Sequence, residues 1–273
     1  MLKLIKMDFY RLFSSKTIKV GAFMAFLACT GYMLLSFGIV ALAEFAFEKD
    51  LSVAIGMGAL LAQVGWIAGV DFSEIVFGGT AVFSLFIGCM VSANFIGSEQ
   101  ACGYTKNFAG QLPDKGYMAI SKFVVTSFSQ TMLLVIYTVV SSVFAQLFFG
   151  KYINGYDIGT LLAALGLRLM LHLAINTIII FICTLTKSHA IAMVAGSIFG
   201  LGVTNVVYTA AGMILGIMRI DLDIGGLMPD GILSMLSLYT VEELCVKAIA
   251  VSVVFIAVFL ATNYFVLRKR DVR

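Results

Sequence analysis

The chain has 273 residues, of which 61% are hydrophobic and only 12% charged, with a net charge of +3. A soluble domain is about 45–50% apolar and about 25% charged, so this composition leaves too little polar surface to coat a water-soluble globule. The apolar runs are long and do not alternate, which excludes a β-barrel and points to membrane-crossing helices.

Residues 1–19 carry Lys3, Lys6, Arg11, Lys16 and Lys19, with Leu2, Ile5, Phe9 and Leu12 at helical spacing. That pattern predicts a basic amphipathic helix lying in the membrane interface. Apolar segments at 20–43, 75–97, 120–149, 159–185, 190–217 and 245–267 each exceed the ~20 residues needed to cross the hydrocarbon core. The first is too long for the apolar region of a signal peptide, so it reads as a retained span.

Residues 51–70 are apolar enough to form a seventh span, and charge decides the count. With six spans the inner segments hold thirteen basic and four acidic residues, and the outer segments four basic and eleven acidic. This asymmetry follows the positive-inside rule and places both termini in the cytoplasm. Residues 51–70 then belong to an outer segment, 44–74, as a helix or re-entrant stretch that protein must cover. A second outer segment, 218–244, contains Gly225-Gly226 and Met228-Pro229-Asp230-Gly231 and predicts short helices broken at Pro229 and Gly231.

The expected fold is therefore an all-α integral membrane protein. It comprises an interfacial helix over 1–19, a six-span domain over 20–267 and a basic cytoplasmic tail over 268–273. No phosphate-binding loop of the G-x-x-x-x-G-K-[S/T] kind is present, and no H-E-x-x-H or G-x-S-x-G. His172 and His189 lack partners at metal-ligand spacing, so no metal site is expected. The scattered cysteines, Cys29, Cys89, Cys102, Cys183 and Cys245, read as small packing residues. Only Arg168 and His172 ionise within a span, which argues against an intramembrane enzyme and, with no acid in a span, against an ion-coupled carrier.

Arg168, His172 and Asn176 fall at i, i+4 and i+8 and share one face of the fourth span. They are candidates for a translocation path, or equally for an internal hydrogen-bond network. Gly196-x-x-x-Gly200 and Gly212-x-x-x-Gly216 in the fifth span permit close helix approach.

Between the second and third spans the chain reads Gly97-Ser98-Glu99-Gln100-Ala101-Cys102-Gly103-Tyr104-Thr105-Lys106, then Leu112-Pro113-Asp114-Lys115-Gly116, with Ser121-Lys122 opening the third span. This segment resembles the permease subunits of ATP-binding-cassette exporters of the second type. The family pattern runs from an acidic residue through Gly-Thr and a short helix to a proline, a basic residue and a lysine; here Tyr104 separates Gly103 from Thr105. The resemblance implies a cytoplasmic coupling helix over 98–119, with Glu99, Gly103, Thr105, Lys106, Pro113 and Lys115 contacting a partner ATPase. It also implies a second permease copy or sister subunit, ATP and Mg held by the partner rather than by this chain, and a bacterial cytoplasmic membrane location with no nucleic-acid partner. The compact layout is similar to subunits that expel antimicrobial peptides, including those giving bacteriocin immunity. An ion-coupled carrier and a membrane-embedded assembly or binding protein are the competing classes.

Overall fold

A computed structural model of the chain describes residues 2–48, 71–81, 83–101, 114–151, 153, 155, 157–217 and 223–269. Among these residues every regular element is a helix. Five helices are long and apolar enough to cross a membrane, and six if one bent pair counts as a single span.

Helix α1 (Leu2–Ser14) ends where the Ser15 N–H and hydroxyl donate to the Arg11 and Leu12 carbonyls, at 2.9 and 2.7 Å. Its buried stripe is Leu4, Asp8 and Leu12, whereas Leu2 is 83% exposed. The apolar stripe expected from Leu2 is thus displaced around the helix, and an acid lies on the buried side. Helix α2 (Lys16–Glu48) follows and packs on the third crossing. With 33 residues it is about 50 Å long, well beyond the hydrocarbon thickness.

The second crossing is two helices, α3 (Phe72–Ala81) and α4 (Ser84–Ala101). Phe83, with φ of 55°, turns the backbone through the left-handed region that non-glycine residues rarely enter. Helix α5 (Tyr117–Phe149) and helix α6 (Ile158–Thr186) form the next two crossings. Asp157 caps α6 by accepting from the Thr160 N–H at 3.1 Å, and Lys187 closes it in a left-handed conformation.

The segment expected as one span over 190–217 is two helices, α7 (His189–Gly200) and α8 (Val203–Ile217), bent by 65° at the break. Gly202, at φ of +68°, makes the turn that a side chain would resist. The first glycine pair packs within the chain. A β-carbon at Gly196 would lie 2.9 Å from that of Cys89, and one at Gly200 would lie 2.4 Å from Phe86 Cα on α4. Gly212 faces open space. Short 3-10 turns at Gly225–Leu227 and Leu238–Thr240 flank helix α9 (Pro229–Met235), with Pro229 at its first turn where no N–H is needed. Short helices expected over 218–244 thus form in the described part of that segment, but Gly231, expected as a break, lies inside α9. Helix α10 (Val241–Lys269) lies along α6.

The core runs as two apolar clusters, one around Met33, Ile75, Tyr137 and Leu171, the other around Leu12, Phe95, Ile175 and Ile180. Large apolar side chains also cover the outside, such as Phe23 and Leu35 on α2, Val206 and Met213 on α8, and Val246 and Val254 on α10. A bundle apolar both inside and outside is compatible with lipid as its solvent.

Candidate functional site

Two polar centres lie at different levels of the bundle. The first lies where α1, the end of α4 and the start of α5 meet. Lys122 is buried near the start of α5 because α1 crosses over it. Its ammonium donates to Asp8 Oδ1 at 2.9 Å and also pairs with Glu99. The neighbouring Ser121 hydroxyl donates to Asp8 Oδ2 at 2.6 Å. Arg11, one turn beyond Asp8 on the same helix, pairs with Glu99, donates to the Phe95 carbonyl at 3.2 Å and lies 4.3 Å from the Phe95 ring centroid. Two carboxylates and two cations therefore balance in a site nearly closed to solvent, as burial of charge requires.

The same end of the bundle gathers the far end of the chain. Asp114 accepts from the Tyr264 hydroxyl on α10 at 2.6 Å and from the Gly116 N–H at 2.9 Å, with Arg268 Nε 3.8 Å away. These hydrogen bonds, Tyr264 first, hold the Asp114 carboxyl below its ordinary range. Gly116 lets the Tyr264 ring approach, since a β-carbon there would lie 2.4 Å from the ring. His189, opening α7, sits against Gly97 of α4 in the same way.

Glu99 and Lys115, predicted to contact a partner, stand at the two ends of the 98–119 segment. Glu99 is turned inward and buried. Gly103, Thr105, Lys106 and Pro113 lie outside the described residues, as does the 51–70 stretch.

The second centre surrounds Arg168. It is 3% exposed, and its Nη1 donates to the Phe77 carbonyl at 2.9 Å and to the Thr80 hydroxyl, while its guanidinium lies 3.7 Å from the Phe77 ring centroid. These acceptors belong to the last turns of α3, where the helix dipole is negative and a cation is favoured. The break at Phe83 thus supplies an end for Arg168 to cap. Arg168 and His172 line a cavity of about 300 Å³ with Ser84, Asn205, Asp230 and the Gly200–Gly202 bend. Asp230, on α9, accepts from the Tyr208 hydroxyl with both carboxylate oxygens at 3.0 Å.

Asn176 does not line this cavity. Its Nδ2 donates to Thr126 Oγ1 on α5 at 2.9 Å, and that hydroxyl in turn donates to the Lys122 carbonyl at 2.7 Å. The helical face therefore divides: Arg168 and His172 meet the cavity, and Asn176 ties α6 to α5 on the way to the ionic cluster. Asp8 was not singled out from the sequence. Its signal was an acid at four residues from both Leu4 and Leu12, on a stripe that an amphipathic helix buries. No cluster of potential metal ligands occurs among the described residues. No family model matches the chain, and no curated protein matches it significantly.

Proposed function

We propose that this chain is the membrane-spanning permease subunit of an ATP-driven exporter, with the 98–119 segment gripped by a separately encoded ATPase in the cytoplasm. The observation that carries the reading is how that segment is rooted. Glu99 at its beginning is fastened to α1 and α5 through Arg11 and Lys122, and Asp114 near its end is fastened to α10 through Tyr264. A push on the segment therefore bears on α1 and α5 at its beginning and on α10 near its end. The pattern from Glu99 to Lys122, resembling that of type-two permeases, supports the same role.

In this reading Gly103, Thr105, Lys106, Pro113 and Lys115 present the contact to the ATPase, and Glu99 anchors it. ATP and Mg belong to that partner, and a second permease completes the pathway. Both ends of the chain stand with the segment on the cytoplasmic side of a bacterial plasma membrane, since the basic residues of α1, Lys115, Lys187 and Arg268 gather there. The path for an amphipathic substrate, such as an antimicrobial peptide, runs past His172 and Arg168; Asn176, expected on the same path, instead holds α6 to α5.

The test is co-purification of the full chain with a nucleotide-binding subunit encoded beside it, followed by ATPase and transport assays. Lys106→Glu is expected to weaken assembly, and Glu99→Ala to uncouple hydrolysis from transport while the subunits remain together. Unchanged turnover and transport in both variants, or labelling of a cysteine introduced at Asn107 from the outer side, overturns the assignment.

A further inference from the structure

The cavity at Arg168 holds a cation whose neutralisation is incomplete. The C-terminal end of α3 offers roughly half a negative charge, and it engages only Nη1. Nε is buried without a partner, and among the described residues no carboxylate lies within ion-pair distance of Arg168. His172, one turn along α6 and 2% exposed, lines the same cavity, and no described residue hydrogen-bonds it. A buried guanidinium that lines a cavity of about 300 Å³ and has no carboxylate within ion-pair distance is suited to an anion.

We propose that this cavity binds the phosphodiester of a membrane phospholipid, with Arg168 as its principal partner and His172 beside it. Two observations favour a lipid over a free anion. Asp230 forms part of the cavity wall, and its carboxylate repels a phosphate near two charges more than a phosphodiester carrying one. The bend between α7 and α8 also lines the cavity, and around it Ile198, Leu201 and Val203 are 41%, 55% and 49% exposed. Acyl chains can lie along that bend while the headgroup enters beside Gly200 and Gly202. The site does not require that the chain transport anything.

Native mass spectrometry of the delipidated full chain, titrated with dioleoylphosphatidylglycerol, tests the assignment. The expected result is one tightly held lipid per chain. Dioleoylglycerol is expected not to compete for the site, and neither is millimolar inorganic phosphate. Arg168→Gln should lower apparent affinity by at least about tenfold, with Arg168→Lys intermediate. Should Arg168→Gln fail to fold, His172→Gln and the comparison of lipids on the wild-type chain still decide. Equal retention of dioleoylglycerol, or wild-type affinity in a folded Arg168→Gln chain, overturns the proposal. Displacement of the lipid by inorganic phosphate alone would assign the site to a free anion and overturn the lipid source.

Discussion

Replacing Lys122 by methionine tests whether the ionic cluster behaves as one balanced unit. In the native fold Lys122 pairs with both Asp8 and Glu99, while Arg11 pairs with Glu99. Methionine fills similar space and removes the charge. Glu99 then keeps Arg11, but Asp8 keeps only the Ser121 hydroxyl at 2.6 Å, inside a site where its side chain is 1% exposed. Removing one partner of a buried pair costs about 3–5 kcal/mol, because a charge is left without compensation. Asp8→Asn added to Lys122→Met restores neutrality, with Arg11 and Glu99 still paired. The double variant is therefore expected to be more stable than Lys122→Met alone, and the cycle to show a coupling of about 2 kcal/mol or more. Denaturation of the purified chain in mixed micelles, followed by helix content, measures all four corners. Additive effects, or a Lys122→Met loss under about 1 kcal/mol, would show that water reaches the cluster and refute the argument.

Three further outcomes are expected. A Gly200→Ala β-carbon meets the Phe86 backbone, which cannot swing aside, so α7 and α4 must separate at a cost of about 1–3 kcal/mol in the same denaturation assay. Gly212→Ala meets nothing within 4 Å, so helix propensity alone acts there and stability rises by about 0.5–1 kcal/mol. Asp114 is held below its ordinary value of 3.8, so its tie to Tyr264 contributes fully above that value and is lost only as pH falls through the lower, folded one. Amide-exchange protection at Ala119 should therefore stay level from pH 6 to about 4 and fall below that, and in Asp114→Asn this acid-dependent drop should vanish.

The long helices were legible because their cause is local and repetitive. Twenty or more apolar residues in a row specify a helix whatever surrounds them, and the described ends fall within a few residues of those expected. The interruptions were harder to read. Gly78, Gly79 and Phe83 do not look like a break, because glycine is tolerated in apolar helices and Phe83 takes its positive φ only in this fold. Gly200 and Gly202 carry two roles at once, close packing on Phe86 and a 65° bend, and spacing reveals only the first. The ionic cluster was partly visible, since Glu99 and Lys122 stand at the edges of a recognisable pattern. That they meet Asp8 and Arg11 depends on α1 folding over the start of α5, a contact between residues more than a hundred positions apart.

The arrangement of the two centres bears on how movement could cross the bundle. A network of paired charges is a poor source of stability, because its desolvation cost nearly cancels its attraction, but it tolerates few alternative arrangements. The cluster at Asp8, Arg11, Glu99 and Lys122 therefore fixes α1, α4 and α5 in one register, and a force on the 98–119 segment must move them together or break the set. The other centre is built differently. Arg168 bridges α6 to the broken end of α3, and the cavity beside it is bounded by the bend at Gly202 and the short helix α9. Bends and short helices have few internal hydrogen bonds to lose, so they accommodate motion more readily than the 29- and 33-residue helices around them. Asn176 Nδ2 ties α6 to Thr126 on α5, one turn from Lys122, so this side-chain contact between two neighbouring helices lies between the stiff end and the yielding one. Under the proposed function, a rotation of α5 at the ionic cluster would be passed to α6, which carries Arg168 and His172, and so to the cavity. Asn176→Ala cuts this connection without touching either centre. Its expected effect is to leave cluster stability and lipid retention intact while lowering substrate transport per ATP hydrolysed; transport at the wild-type ratio would show that the two ends communicate by another route.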